Sequence, residues 1–366
     1  MTSSSALRVG VVGCGYWGSK HVRVLQSLDD VSQVVLVDGR TDRVNSLLRG
    51  FPGARSFADL PSALPEVDAV VIATPPTTHT PLALAAIAAG KHVLVEKPLA
   101  TTASDARQLV AAAREAGVTL MVGHTFEHNA AVDKLRSLVQ QRELGDVYNI
   151  DTARLNLGLY QSDVNVIFDL APHDISIINR VLGTTPAYVH AWGACHANSR
   201  HEDVAYLRLF YPDLAVSANI HVSWLDPCKV RRVTVVGSRK MAVYDDLAVD
   251  ERIRVFDKGV TPPVDDQDLT QPPMTYRHGD ITVPHLDFEE PLMVQDRRFL
   301  HSIRTGERPL TSGENGLAVV EVLEALQISM REGRPVHLSE LAEPRPPRPT
   351  RRRRPVAHKT SLVGSA

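Results

Sequence analysis

Two short segments about eighty residues apart carry residues able to do chemistry together, Gly13-Cys14-Gly15-Tyr16-Trp17-Gly18 and Glu96-Lys97-Pro98. A Gly-x-Gly-x-x-Gly sequence alone marks little more than a turn. Here it follows the apolar run Arg8 to Val12 and opens a helical pattern, and Asp38 lies twenty residues after Gly18 at the end of a second apolar run. That context is the dinucleotide-binding pattern, with Gly13 for the tight turn, Gly15 for approach to a pyrophosphate and Gly18 for close helix packing. The helix N-terminus then faces the phosphates, which places Tyr16 and Trp17 beside the cofactor. Asp38 can accept hydrogen bonds from the adenosine ribose and repel a 2'-phosphate. Arg40, just past Gly39, is able to pair with such a phosphate, and the balance favours NAD over NADP.

Glu96-Lys97-Pro98 ends another buried strand, so Lys97 projects into the same crevice. A lysine there is costly unless paired or functional, and its ammonium can hydrogen-bond a substrate hydroxyl. Glu96 is either its partner or a contact on the nicotinamide side, although adjacent strand residues point to opposite faces. Thr74-Pro75-Pro76 follows the strand Ala69 to Ala73, where open α/β sheets bind ligands. Thr74, Pro75 and His79 are counted with the cofactor site, although His79 reads better as a helix N-terminal residue with no catalytic part. A third constellation is Asp169-Leu170-Ala171-Pro172-His173-Asp174. On a helix, Asp169 and His173 share one face within mutual reach, and an imidazole with an unperturbed pKa of about 6.5 can take a hydroxyl proton. Pro172 costs a helix interior about 3 kcal/mol but is tolerated in a first turn. The helix can therefore start near Leu170, with Asp169 as its cap.

The elements that must position these groups alternate strand and helix over the first 120 or so residues. Val34 to Val37 and His92 to Val95 are further buried strands, with helices over Tyr16 to Leu28, Pro81 to Ala89 and Ala103 to Ala116 and a strand at Val118 to Val122. This predicts an α/β fold with a parallel, doubly wound sheet. From Tyr148 the segments lengthen and alternate, as in Tyr148 to Leu157, Val204 to Phe210, Ala215 to Val222 and Arg231 to Val236. They predict antiparallel strands with one buried face, with helices near Val166 to Leu182, Pro291 to Thr305 and Asn315 to Glu332. The expected division is a nucleotide-binding domain over 1–124, an α+β substrate and oligomerisation domain over 125–342, and a tail over 343–366.

With 366 residues, 43% apolar and 22% charged, the chain can bury two sizeable cores. No apolar run approaches the roughly 18 residues of a membrane span, and Met1 to Leu7 lacks signal-peptide character, so a cytoplasmic location is expected without membrane contact. Cys14, Cys195 and Cys228 lack metal or redox spacing and are expected as reduced thiols, with no metal site. The net charge of −2 divides unevenly. Before Glu343 stand 33 basic and 41 acidic residues, a balance of −8, whereas 343–366 stands at +6. The Pro- and Arg-rich stretch Pro344 to Pro355 cannot bury a core and is expected to be disordered. Without an aromatic stacking platform, and on an acidic body, it is not expected to bind nucleic acid.

In this order, Gly13-x-Gly15-x-x-Gly18, Asp38, Glu96-Lys97-Pro98 and Asp169-x-x-x-His173 resemble the Gfo/Idh/MocA oxidoreductases over about residues 7 to 335. The resemblance implies an N-terminal Rossmann domain, a C-terminal domain whose large, mostly antiparallel open sheet makes homodimer or homotetramer contacts, and NAD(P) between them. It implies that Lys97 holds and polarises the reacting hydroxyl, His173 is acid/base, and Asp169 binds substrate or orients the imidazole. Arg154-Leu155-Asn156-Leu157-Gly158, Asp163-Val164-Asn165-Val166 and the Asp169 segment are similar to a branch that oxidises a UDP-hexose at C3. A nucleotide sugar is the substrate so implied, with Arg154, Asn156 and Asn165 as sugar or phosphate contacts. Polar residues on an exposed sheet face explain these three almost as well. One departure is Gly123-His124-Thr125-Phe126-Glu127-His128, where many members carry an arginine. Related alternatives are a ketosugar or inositol oxidoreductase and an NAD-dependent glycoside hydrolase.

Overall fold

The computed structural model describes residues 6–161, 163–197, 200–261 and 274–341. The tail expected to be disordered lies outside them. Six strands, β1 (Leu7–Val12), β2 (Val31–Val37), β3 (Arg55–Phe57), β4 (Ala69–Ile72), β5 (His92–Glu96) and β6 (Leu120–Gly123), form one sheet in the order β3-β2-β1-β4-β5-β6. All its pairings are parallel. Its central strands carry nearly continuous apolar runs, as in Val34–Val37 and Ala69–Ile72, because both faces are covered. Val70, Ile72, Val93 and Val95 join one core, while Val9, Val11, Val71 and Leu94 join the core on the other face.

Nine further strands form a second sheet. They are β7 (Val147–Leu157), β8 (Tyr188–Ala194), β9 (Val204–Tyr211), β10 (Val216–Ser223), β11 (Leu225–Gly237), β12 (Met241–Asp245), β13 (Ile253–Thr261), β14 (Thr275–Thr282) and β15 (Val336–His337). Their order is β14-β13-β12-β11-β7-β10-β9-β8-β15, antiparallel except for β7 and β10. Alternation is visible in β9, where Ala205, Leu207 and Leu209 are buried and Tyr206 and Arg208 are exposed. The inner residues pack on helices Ala130–Gln140, Val166–Leu182 and Gly313–Glu332 in one core. Short or less regular elements escape the sequence reading, among them helix Thr41–Gly50, helix Ala130–Gln140 and strands β8 and β12 to β14.

The C-terminal helices return to the first sheet and tie the two halves together. Phe299 and Leu300 of helix Pro291–Thr305 join the core on one face of the parallel sheet, and Val320 joins the other. Among the described residues, no helix is long and apolar enough to cross a membrane.

Candidate functional site

The glycine loop is built for close approach. Gly13 has φ +91°, a conformation side chains resist, and a Cβ on Gly18 would stand 1.8 Å from the Gly13 carbonyl oxygen. A Cβ on Gly15 would meet nothing nearer than Arg43 Nη1 at 3.8 Å, so that side of the loop is open. Helix Tyr16–Gln26 has no side-chain cap at Gly15, which leaves its first-turn N–H groups available to an anion. The donors and the open cradle fit a dinucleotide pyrophosphate.

Asp38 Oδ2 accepts from the Cys14 N–H at 2.8 Å, and Oδ1 accepts from the Arg40 N–H at 2.8 Å beside Gly39. Arg40 donates its own guanidinium to Asp42, at 2.8 and 3.2 Å, and Arg43 Nη1 stands 3.7 Å from Asp38 Oδ2. Burial and then Asp38 push the Cys14 thiol up to about 11, which keeps it protonated and unreactive. The buried His79 ring engages the carbonyls of Pro98, at 2.8 Å, and Thr74, at 2.9 Å. It braces the turn at Thr74 and Pro75 against the segment after Lys97.

Lys97 leaves the end of β5 and meets helix Val166–Leu182. Its Nζ donates to the Asp169 carbonyl at 2.6 Å and to Asp169 Oδ1 at 3.2 Å. The other carboxylate oxygen, Oδ2, accepts from Trp224 Nε1 at 3.0 Å. Glu96 does not pair with the ammonium. Its carboxylate accepts from His21 Nε2 at 3.0 Å and from the Lys97 backbone N–H at 3.2 Å, as the opposed directions of neighbouring strand residues require.

Two expectations about the helix are corrected. Of the two starts read from the sequence, the one near Val166 holds: the helix begins there, with Asn165 as its cap accepting from the Phe168 N–H at 3.1 Å, and not near Leu170 capped by Asp169. Pro172 lies inside the helix and lacks the N–H that would bond Phe168. The neighbouring Asp169 carbonyl is the one that accepts from Lys97. Asp169 shares a helix face with His173 but turns its carboxylate to Lys97 and Trp224, so it does not orient the imidazole. The His173 ring stands edge-on to Phe126 at 5.0 Å, and its Nδ1 is buried without a partner. Burial, then the charges of Lys97 and Arg154, hold its pKa well below the usual value, so the imidazole is neutral at pH 7.

These groups face a cavity of about 540 Å³ between the two sheets, lined by Tyr16, Trp17, Glu96, Lys97, Arg154, Asn156, Asp169 and His173. Arg154 is buried, bonded through Nε to Asp174 Oδ2 at 2.8 Å, and its guanidinium lies 4.6 Å from the Phe126 ring centre. Asn165 does not line this cavity. Its side chain is spent on the helix cap and on Glu202 Oε2 at 2.9 Å, which corrects its expected place among substrate contacts.

Sequence reasoning missed Lys20, Phe126 and a far wall made by Lys229, Arg231, Asp246 and Arg252. Lys229 and Arg231 are two apart on β11, a period-2 signal present in the sequence. The segment 123–128, where the resemblance lacks its arginine, supplies Thr125 and Phe126 to the cavity. Its His124 is fully buried, with both ring nitrogens unpartnered and its pKa pushed by burial to about 4.

Comparison with known proteins matches residues 7–124 to the oxidoreductase family, NAD-binding Rossmann fold, and 132–243 to the GFO/IDH/MocA C-terminal domain. The UDP-N-acetylglucosamine 3-dehydrogenase of Acidithiobacillus ferrooxidans is 32% identical over 256 residues, covering 69% of this chain and 78% of the relative. The myo-inositol 2-dehydrogenase of Thermotoga maritima is 24% identical over 92% of this chain and 99% of its own length. Among solved structures, GenD2 from gentamicin A biosynthesis, in complex with NAD, has a TM-score of 0.76 at 28% identity, covering 92% of this chain and 97% of that one.

Proposed function

Since the chain belongs to the Gfo/Idh/MocA family of NAD-dependent oxidoreductases, we propose that it oxidises a secondary hydroxyl of a sugar, at C3 of a nucleotide-linked hexose, to a ketosugar. The observation that carries this reading is the ammonium of Lys97 beside a neutral imidazole in a cavity that reaches Tyr16 and Trp17, the first residues of the helix after the glycine loop. Of the three donors on Lys97 Nζ, two are used by Asp169, which leaves one for the substrate oxygen. That hydrogen bond stabilises alkoxide character as it develops. His173, with its proton on Nδ1, takes the hydroxyl proton on Nε2. NAD supplies the hydride acceptor, and the surrounding residues supply position and exclusion of water.

The cavity walls favour an anionic substrate. Lys20, Arg23, Lys97, Lys229, Arg231 and Arg252 line the cavity against Glu96, Asp169, Asp246 and Glu290, and Arg154 beside them is balanced by Asp174. This basic excess suits a nucleotide diphosphate better than a polycationic sugar. The named activity of the Acidithiobacillus relative supports C3 of a UDP-sugar, while the gentamicin relative favours an antibiotic-pathway saccharide as the second reading.

The deciding experiment follows NADH absorbance while UDP-sugars, TDP-sugars, free sugars, inositols and aminoglycoside saccharides are offered. UDP-hexose turnover with a C3 ketone product is expected, and turnover of free polyols alone would overturn the assignment. The outer face of the second sheet, with Trp192 57% and Tyr206 51% exposed, is proposed to pair with a second copy in a dimer or tetramer. Sedimentation tests this, and a monomer at micromolar concentration would rule it out.

A further inference from the structure

A buried chain of charges behind Lys97 is left unused by the reaction just described. His21, on helix Tyr16–Gln26, is completely buried, and it bridges two carboxylates 200 residues apart in sequence. Its Nδ1 lies 2.9 Å from Asp296 Oδ2 and its Nε2 3.0 Å from Glu96 Oε1, while Glu96 Oε2 accepts the Lys97 N–H. Asp296 belongs to helix Pro291–Thr305, whose first residues, Pro291 and Leu292, line the cavity. The carboxylate of Glu96 packs tightly against Gly123, where a Cβ would stand 3.0 Å from it. A single polar chain thus runs from the C-terminal helix, through the helix that follows the glycine loop, to the peptide of Lys97.

We propose that His21 is a positioning residue for Lys97, an imidazolium clamped between Asp296 and Glu96 that keeps Glu96 ionised and fixed against the lysine peptide. Two carboxylates presented to the two ring nitrogens call for a donor at each, and only the doubly protonated ring supplies both. Burial alone would lower the His21 pKa, but Asp296 and Glu96 outweigh it and hold it at about 10. Burial alone would likewise raise Glu96, but His21 and Lys97 hold it below the ordinary value. The other titratable groups near Glu96 are His79 and His124, both shifted down by burial; the His79 nitrogens are spent on the Pro98 and Thr74 carbonyls and those of His124 have no partner, so neither bonds Glu96. The ion that keeps Glu96 charged from behind is consequently His21.

The inference rests on the role proposed for Lys97, and two variants with opposite signs test it. In His21→Gln, Glu96 keeps its burial and loses its cation, so its pKa rises and the acid limb of the kcat profile moves up by roughly one to three pH units. In Asp296→Asn, the imidazolium keeps only Glu96, so the basic limb moves down by a similar amount. Equilibrium NAD binding is expected to stay within about threefold in both at pH 7.5. Unmoved limbs in the folded variants, or an equal loss of kcat at every pH, would overturn the proposal by showing a merely structural residue. Where His21→Gln does not fold, Asp296→Asn decides.

¹⁵N-histidine NMR of the NAD-bound wild type needs no turnover. A His21 ring still doubly protonated at pH 8 supports the clamp, and a neutral ring at pH 7 refutes it. Failure of the lysine reading shows separately, as undiminished turnover in Lys97→Met.

Discussion

Replacing Lys97 by Met keeps the apolar stem out to Cε, with sulfur in place of Cδ, and removes the ammonium. Two bonds go with it, the 2.6 Å and 3.2 Å contacts to Asp169, together with the third donor assigned to the substrate oxygen. Asp169 keeps its bond from Trp224, and its side chain is 22% exposed, so water can replace the lost cation and the fold should survive. The cost falls on the transition state. Loss of one positioned donor to a developing oxyanion costs about 3 to 4 kcal/mol, or roughly 10²- to 10³-fold in kcat. The glycine loop and Asp38 are untouched, so the Kd for NAD should change by less than about threefold. Single-turnover NADH formation measures the chemical step, and tryptophan fluorescence quenching measures NAD binding. Near-normal single-turnover rates with weakened NAD binding would refute the assigned role and make Lys97 a cofactor anchor.

The glycine loop separates packing from binding. Gly18→Ala must displace the Gly13 carbonyl and should cost roughly 1 to 3 kcal/mol of stability in urea unfolding. Gly15→Ala should unfold like the wild type yet bind NAD at least about tenfold more weakly, because the added methyl enters the open cradle. Arg154→Met leaves Asp174 buried without its cation, 2.8 Å from where Nε stood, and should cost about 3 to 5 kcal/mol in the same assay. His124 and His128, held by burial at about 4 and about 3, are neutral in the fold where the unfolded chain binds a proton. Their contribution is therefore present above about pH 6.5 and is lost as pH falls towards 4. Glu127, raised by burial to about 7, has the opposite slope between its unfolded value and 7. Urea unfolding between pH 7 and pH 5 isolates the histidine part, since His124→Leu should flatten the loss relative to the wild type.

Local residue order made much of the site legible. The glycine loop, Asp38 and Glu96-Lys97-Pro98 each sit at a strand end that a run of valines announces, and backbone geometry there leaves few choices. The alternation of β7, β9 and β10 likewise declares a sheet with one buried face. The helix carrying His173 offered two starts, and the apolar pattern from Val166 was the right guide. Pro172 pointed to a first turn, but Asn165 supplies the cap four residues before Asp169, and apolar burial of Val166, Ile167 and Phe168 holds the extra turn.

The sequence by itself determined a dinucleotide loop, an acidic residue just after the second strand and a lysine at a strand end, because each depends on neighbours within a few residues. Only the tertiary structure decided what the charged groups pair with. Asp169 shares a helix face with His173, yet it faces Lys97 from β5 and Trp224 from the loop between β10 and β11. His21 finds Asp296 across 275 residues of chain, and the basic far wall comes from β11 and the connection between β12 and β13, long after the glycine loop. In a buried site a charge takes the partner that packing brings within about 3 Å, since leaving it unpaired costs more than any local preference. Such pairings follow the packing of separate elements and carry no fixed spacing in the sequence.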